Sequence, residues 1–282
     1  MFTERSTLYV VATPIGNLAD ITQRAVAVLA EVDLIACEDT RHSQRLLDHL
    51  QLRKPLRPYH EHSDGSAETS LMESLAAGQS IALISDAGTP LIADPGYRLV
   101  SAARGAGFKV VTIPGPCAAV AALSIAGLPS DQFRFCGFLP ARGAARDKAL
   151  EQLADDRATL IFYEAPHRIV DSLAAMAGVF GGDRRAAIGR ELTKTFETLL
   201  EGTLAELGRR VAADSDQQRG EIVVMVSGQV ERRSDSVESR RVVAILLREL
   251  PLKRAAAVAA QLLGGDKRSY YQLGLTLQGR DS

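Results

Sequence analysis

The first 115 residues repeat one pattern: a short apolar run, a loop rich in glycine and proline, then an amphipathic helix. The runs are Leu8–Ala12, Leu34–Cys37, Ile81–Ile84 and Lys109–Ile113. Runs of four or five residues without polar alternation predict strands covered on both faces. Between them, residues 20–32 place Ile21, Ala25, Val28, Leu29 and Val32 on one helical face, with Asp20 expected as N-cap. Residues 43–50 and 97–105 are predicted helical, and residues 67–77 form a helix closed by Gly78. This alternation predicts a mostly parallel α/β sheet.

The pattern breaks at Pro114-Gly115-Pro116. Beyond it, helices are predicted over 118–126, 144–154, 169–179 and 204–212, with strands over 133–139, 159–163, 186–192, 197–202 and 221–227. This half reads as mixed in strand direction. The polar stretch Arg232-Arg233-Ser234-Asp235-Ser236 is linker-like, and two or three helices follow it. The expected organisation is an α/β domain over 1–115, a second over 116–231, and a helical module over 236–282.

Residues 236–282 carry eight lysines and arginines against four acids, although the whole chain has a net charge of −1. A polyanion partner would therefore be met locally; the alternative is a solvated helical face. Three scattered cysteines (Cys37, Cys117, Cys136) without C-x-x-C spacing predict free thiols rather than a disulfide framework. The N-terminus lacks a signal-peptide apolar core and no run reaches the length of a membrane span, so a cytoplasmic protein is expected.

The loops after the strands carry the chemistry. Ser85-Asp86-Ala87-Gly88-Thr89-Pro90 and the following Leu91-Ile92-Ala93-Asp94-Pro95-Gly96 form a stiffened turn, echoed by Thr13-Pro14-Ile15-Gly16-Asn17 and Pro114-Gly115-Pro116-Cys117. Loops of this kind at strand ends predict a small-molecule cleft. No Walker P-loop, G-x-G-x-x-G or G-x-S-x-G occurs, which removes support for P-loop nucleotide binding, a Rossmann dinucleotide or methyltransferase site, and an α/β-hydrolase. His60-Glu61-His62 has two imidazoles on one strand face but no completing ligands, and reads as a polar substrate-facing loop rather than a metal site. No metal is expected. Glu38-Asp39-Thr40-Arg41 and Tyr163-Glu164-Ala165-Pro166-His167-Arg168 each follow a strand and bring a carboxylate and a guanidinium to a cleft edge. His42 is either an interaction residue or a helix cap.

Together with Arg190-Glu191-Leu192-Thr193-Lys194 and Arg219-Gly220-Glu221, these segments resemble, in order and over nearly the whole chain, the tetrapyrrole methylase superfamily, in its branch that methylates small-subunit ribosomal RNA. The resemblance implies two α/β domains with S-adenosylmethionine in the cleft between them, plus the small helical C-terminal module. It implies 2′-O-methylation of a cytidine in the decoding centre of 16S rRNA, with the assembled small subunit as substrate and the enzyme as a homodimer. The implied cofactor residues are Pro14, Asp86, Gly88, Thr89, Ile92, Cys117, Ala118, Tyr163, Gly220 and Glu221. Thr89 stands where the superfamily carries Asp in a Gly-Asp-Pro loop, so a carboxylate contact there is not implied.

Transfer of an activated methyl mainly needs alignment of the acceptor oxygen. Among Glu38, Asp39, Glu61, Asp86 and Glu164, the preferred polarising carboxylates are Glu164 and Glu38. Arg41 and Arg168 are expected on phosphate, with His60 and His62 facing substrate. Lys253, Arg254, Lys267 and Arg268 are expected on the rRNA backbone, while Tyr270 and Tyr271 either stack on a base or pack inward. Two other readings are a small-molecule methylase of tetrapyrrole type and a non-catalytic ribosome-assembly factor. The low aromatic content (5%, no Trp) and the basic tail count against the first.

Overall fold

The structure, a computed structural model, describes residues 2–60, 65–229 and 237–279. Glu61, His62 and the expected linker Arg232–Ser236 lie outside the described residues.

The first sheet is built from β1 (Thr7–Val11), β2 (Leu34–Cys37), β3 (Leu56–Pro58), β4 (Ile81–Ile84) and β5 (Lys109–Ile113), in the order β3-β2-β4-β1-β5. Every pairing is parallel. Successive residues of β4 point to opposite faces, and each face has its own core. Ala82 and Ile84 join Val28 and Leu29 of α1 (Gln23–Glu31), whereas Ile81 and Leu83 join Leu71 and Leu75 of α3 (Ser66–Ala76) and Leu99 of α4 (Tyr97–Gly105). All four residues of β2 and of β4 are buried, as their unbroken apolar runs require.

The second sheet contains β6 (Phe133–Phe138), β7 (Thr159–Glu164), β8 (Arg185–Arg190), β9 (Thr198–Thr203) and β10 (Ile222–Val226), ordered β6-β7-β10-β8-β9. It is mixed: β6 and β7 are parallel, while β10 runs antiparallel to β7 and β8. Its inner face packs Ile161, Ala187, Val223 and Met225 on Ala119, Ala122 and Leu123 of α5 (Ala118–Ile125).

Both sheets belong to one compact unit, which runs to Glu151 and resumes over Thr159–Ser227. A second unit comprises Gln152–Ala158 and the chain from Gly228. It holds three helices, α9 (Val237–Glu249), α10 (Leu252–Leu263) and α11 (Lys267–Gln278), after α6 (Gly143–Glu151), α7 (Ile169–Phe180) and α8 (Leu204–Ala213) of the first unit. Its core is Val243, Ala256, Ala259, Tyr270 and Leu273.

Three local expectations shift. Asp20 closes a short 3-10 turn (Leu18–Asp20), and Thr22 caps α1 instead, its side chain accepting from the Ala25 N–H. The next helix, α2 (Thr40–His49), starts three residues earlier than the apolar pattern indicated, because the Asp39 carboxylate accepts from the N–H groups of Arg41 and His42 at 2.7 and 3.2 Å. Edge strand β3 was hidden by its flanking prolines, which are tolerated only where no inner ladder bond is needed.

Candidate active site

The loops after β1 and β4 leave the same edge of the first sheet and are tied together. Thr13 and Gly88 exchange backbone hydrogen bonds of 2.8 and 3.2 Å, and the Thr13 hydroxyl donates to the Ser85 carbonyl. The loop after β4 holds sparsely populated backbone: Gly88 at φ +84°, Leu91 at +74° and Ala93 at +66°. Left-handed Leu and Ala persist only when surroundings over-determine them, and such strain collects at ligand sites. The Thr89 hydroxyl donates to the Pro116 carbonyl (2.9 Å), pinning this loop to the segment before α5. At Thr89 this chain places a structural tie.

A cavity of about 320 Å³ opens beneath these loops, within the range of small-molecule sites. Its walls include Ile15, Gly88, Thr89, Ile92, Cys117, Ala118, Tyr163 and the turn Gly220–Glu221. Tyr163 is steadied by edge-on contacts with Phe135 and Phe138, and its hydroxyl accepts from the Ala119 N–H. Burial pushes that hydroxyl far above its ordinary range, so it stays neutral. The carboxylates of this lining are Asp94, Glu164 and Glu221; it contains no Lys, Arg or His. Asp94, absent from the sequence-based candidates, has its carboxyl pushed up to about 6 by burial, an effect that Glu38 and Asp86 reinforce and the Ser85 hydroxyl opposes. Its motif position was visible in sequence, but its burial was not.

A second cavity of about 300 Å³ adjoins the first. The two share Ile15, Ala87 and Glu221, and Glu221 is the one ionisable residue that lines both. Pro14 and Asp86, expected on the cofactor, line this second cavity with His42, Arg45 and Lys194. Lys194 bridges Glu191 (2.8 Å) and Glu221 (3.1 Å). Burial works against its charge, but the two carboxylates outweigh it and raise its pKa. This bridge needs a glycine at 16 and at 220. A side chain on Gly16 would run into Lys194, and one on Gly220, at φ +77°, into Glu191.

The expected carboxylates have other duties. Glu164 is buried, and its oxygens accept from the Ser172 hydroxyl (2.5 Å), the Ala165 N–H (2.8 Å) and Arg168 (2.8 Å). Arg168 also donates to the Leu139 carbonyl at 2.6 Å, so this guanidinium is a packing and pairing group rather than a free phosphate ligand. Glu38 lines neither cavity; it lies with Asp39 and His60 on an open depression that shares Asp86 with the second cavity. Arg41 is exposed on α2 and lines neither cavity; His42 and Arg45 do, and His42 caps nothing. Among the described residues, no cluster of three His, Cys, Asp or Glu could hold a metal ion, and the three thiols are free.

In the helical unit, Lys253, Arg254, Lys267 and Arg268 are all exposed. Tyr270 packs inward and donates to the Gly264 carbonyl at 2.8 Å, while Tyr271 stays at the surface.

Comparison with known proteins agrees with this architecture. Residues 7–208 match the Tetrapyrrole (Corrin/Porphyrin) Methylases, and residues 233–278 match the RsmI C-terminal HTH domain. The ribosomal RNA small subunit methyltransferase I of Pseudomonas aeruginosa PAO1 is 54% identical, over 97% of this chain and 98% of its own. The Escherichia coli O157:H7 protein of the same name is 50% identical over 96% of each. Among solved structures, the uroporphyrin-III-C-methyltransferase of Thermus thermophilus aligns at TM-score 0.56 and 21% identity, over 79% of this chain and 94% of that one. The cobalt precorrin-4 methyltransferase CbiF aligns at 0.60 and 13%, over 79% and 95%. At such identities the structural matches speak for the fold alone. The chain belongs to the tetrapyrrole methylase family, in its ribosomal RNA small subunit methyltransferase I group.

Proposed function

We propose that this chain transfers a methyl group from S-adenosylmethionine to small-subunit ribosomal RNA, at the ribose 2′-oxygen of a cytidine in the decoding centre of 16S rRNA. The substrate is the assembled subunit, and the enzyme works in the cytoplasm as a homodimer. The RNA substrate follows the names of relatives about half identical over almost the full chain. The cytidine, its 2′-oxygen and the assembled subunit follow the family resemblance.

The observation that carries the cofactor is the charge of the first cavity: three carboxylates and no cationic side chain. A nucleotide phosphate would be repelled there, whereas a donor with a sulfonium and an ammonium is attracted. Apolar walls from Ile15, Ile92 and Val223 suit an adenine, and the N-terminus of α5, where Tyr163 takes the Ala119 N–H but Cys117 adds no side-chain cap, suits the donor's carboxylate at Ala118. When bound, S-adenosylmethionine supplies a methyl carbon already activated by its positive sulfur. The chain's own work is then positioning and proton handling. Asp94 faces the donor's positive charge. Glu164 holds the end of β7, and with it Tyr163 and Pro166, through Ser172 and Arg168. Glu221, on the wall between the cavities and held by Lys194, is the carboxylate best sited to receive the hydroxyl proton. It replaces Glu164 and Glu38 in that role, because the oxygens of Glu164 are engaged and Glu38 lies outside both cavities. The exposed basic residues of the helical unit contact the rRNA backbone.

The test is methyl transfer from labelled donor to small subunits lacking the modification, with naked rRNA in parallel, read by nucleoside mass spectrometry. Labelled 2′-O-methylcytidine is the expected product, and Glu221→Gln should slow transfer at saturating donor at least tenfold. Donor binding without transfer to either RNA would refute the rRNA reading and favour a small-molecule acceptor. Absence of donor binding would favour an assembly factor.

A further inference from the structure

The second cavity has a polarity the first lacks. Its lining brings together the Arg45 guanidinium, the Lys194 ammonium and the His42 imidazole, whereas the donor cavity beside it has no Lys, Arg or His. His42 and Arg45 are three residues apart on α2, so both project from one face. Lys194 reaches over from the loop after β8 and is already held by Glu191 and Glu221. Arg45 has no ion-pair partner among the described residues, which leaves its five donors available. The floor, from Ile84 to Ala87, and the exposed Leu18 at the side are uncharged except for Asp86. That carboxylate already accepts from the Asp39 N–H at 3.1 Å.

The wall between the cavities is thin in sequence terms: Ile15, Ala87 and Glu221. A group that receives a methyl from the first cavity must approach this wall, and the second cavity abuts it. The RNA acceptor is anionic, and the cationic side chains Arg45 and Lys194 line the second cavity but not the first.

Building on the reading above, we propose that this second cavity takes the acceptor nucleotide of the RNA, withdrawn from its stack, with Arg45 and His42 on a flanking phosphate and the ribose against the Ile15–Ala87–Glu221 wall. A guanidinium fork matches two phosphate oxygens, and an uncharged floor with an aliphatic side chain accommodates a ribose and one base face. A cavity of this size, reached between strand-end loops, admits a single unstacked nucleotide and not a duplex. Arg45 and His42 are thus positioning contacts to the acceptor nucleotide, distinct from the exposed basic residues of the helical unit.

Three variants, Arg45→Ala, Arg45→Lys and His42→Ala, test this with small ribosomal subunits lacking the modification. Two measurements are made on each: donor affinity by calorimetry, and subunit binding and methyl transfer across a salt series. The expected result is a KM for subunits raised about tenfold in Arg45→Ala. The dependence of log affinity on log salt should become shallower by about one. Arg45→Lys should recover part of the loss, and donor affinity should stay within about twofold, which also reports an intact fold. Unchanged KM and salt slope in Arg45→Ala and His42→Ala, with active wild type, would overturn the proposal. Weakened donor affinity in Arg45→Ala would overturn it too, since the residue would then serve the first cavity. If the wild type binds subunits but transfers no methyl, the functional reading fails, and the salt series still decides whether Arg45 meets RNA.

Discussion

Glu164→Gln separates two roles that sequence alone confuses, a catalytic carboxylate and a structural one. The side chain has no solvent exposure, and Arg168, 2.8 Å away, is only 19% exposed. Glutamine keeps the shape and one acceptor oxygen, so the hydrogen bond from Ser172 or from Ala165 can survive. What it removes is the charge opposite Arg168, whose Nε is already buried without a partner among the described residues. Breaking one side of a buried pair costs about 3–5 kcal/mol when nothing compensates; with the partly exposed guanidinium and retained amide, about 2–3 kcal/mol is the reasonable magnitude. For a unit of this size that lowers the melting temperature by roughly 5–10 °C. The assay is thermal and urea unfolding of Glu164→Gln, Arg168→Met and the double variant. Because removing both partners leaves no orphaned charge, the double variant should come back to within about 1 kcal/mol of wild type. Activity measured well below the melting point should fall only a few-fold. A variant with wild-type stability and no activity would refute the structural role and return Glu164 to the chemistry.

Three further outcomes follow from the same geometry. Asp94 has its carboxyl raised to about 6, so only its ionised form, dominant above that pH, attracts a cationic donor. Calorimetric donor affinity should therefore rise between pH 5 and 7, by about tenfold, and level off above; Asp94→Asn should bind weakly with a flat profile, and a flat wild-type profile would contradict this. The linked effect on folding has the opposite sign. A folded-state pKa above the ordinary value of 3.8 favours the fold at low pH and is lost as pH rises to about 6, so Asp94→Asn should be relatively more stable above pH 6. Gly220→Ala forces a side chain into a left-handed backbone and against Glu191; it should cost about 1–2 kcal/mol in unfolding and reduce transfer, and an unchanged melt would count against the Lys194 bridge. Lys267→Ala with Arg268→Ala, in the first turn of α11, should make the salt dependence of subunit binding shallower by about two while donor affinity stays put; an unchanged slope would remove these residues from the RNA contact.

How much of this was legible in the sequence follows from the range of the forces involved. The parallel sheet was readable because β2 and β4 are apolar throughout, which only two-sided burial explains. The strand-end loops were readable because Gly88 and Gly96 sit where φ is positive and punctuate the chain locally. What failed to show depends on contacts distant in sequence. Asp39 looked like a cleft carboxylate, but it closes α2, and that cap decides which side chains of the helix turn inward. Shifting the helix start by three residues moves the cavity-facing positions from Arg41 to His42 and Arg45. Asp94 stood in plain view in the motif, but its perturbation comes first from burial in the folded chain and is reinforced by Glu38 and Asp86, which follow two different strands. In sequence, Glu164 and Arg168 read as two groups facing substrate; their pairing, and the bond from Ser172 on α7, need the strand end to fold back against the helix that follows, which local patterning does not show.

The separation of charge between the two cavities is a property of the second sheet as much as of the first. Two of the three carboxylates of the first cavity, Glu164 and Glu221, come from the end of β7 and the start of β10, and the one lysine of the second comes from the loop after β8, which lies on the other flank of β10. Because β10 runs antiparallel between β7 and β8, its first residues sit between the last residues of both neighbours: Ile222 pairs with Glu164 on one side and Arg190 on the other. Glu221, one residue before that register, is thereby placed at the boundary, with Lys194 on its acceptor side. A wholly parallel second sheet would bring the beginning of a strand to the opposite edge and remove Glu221 from the wall. The mixed direction of this sheet is therefore what places a single carboxylate on the wall between the two cavities.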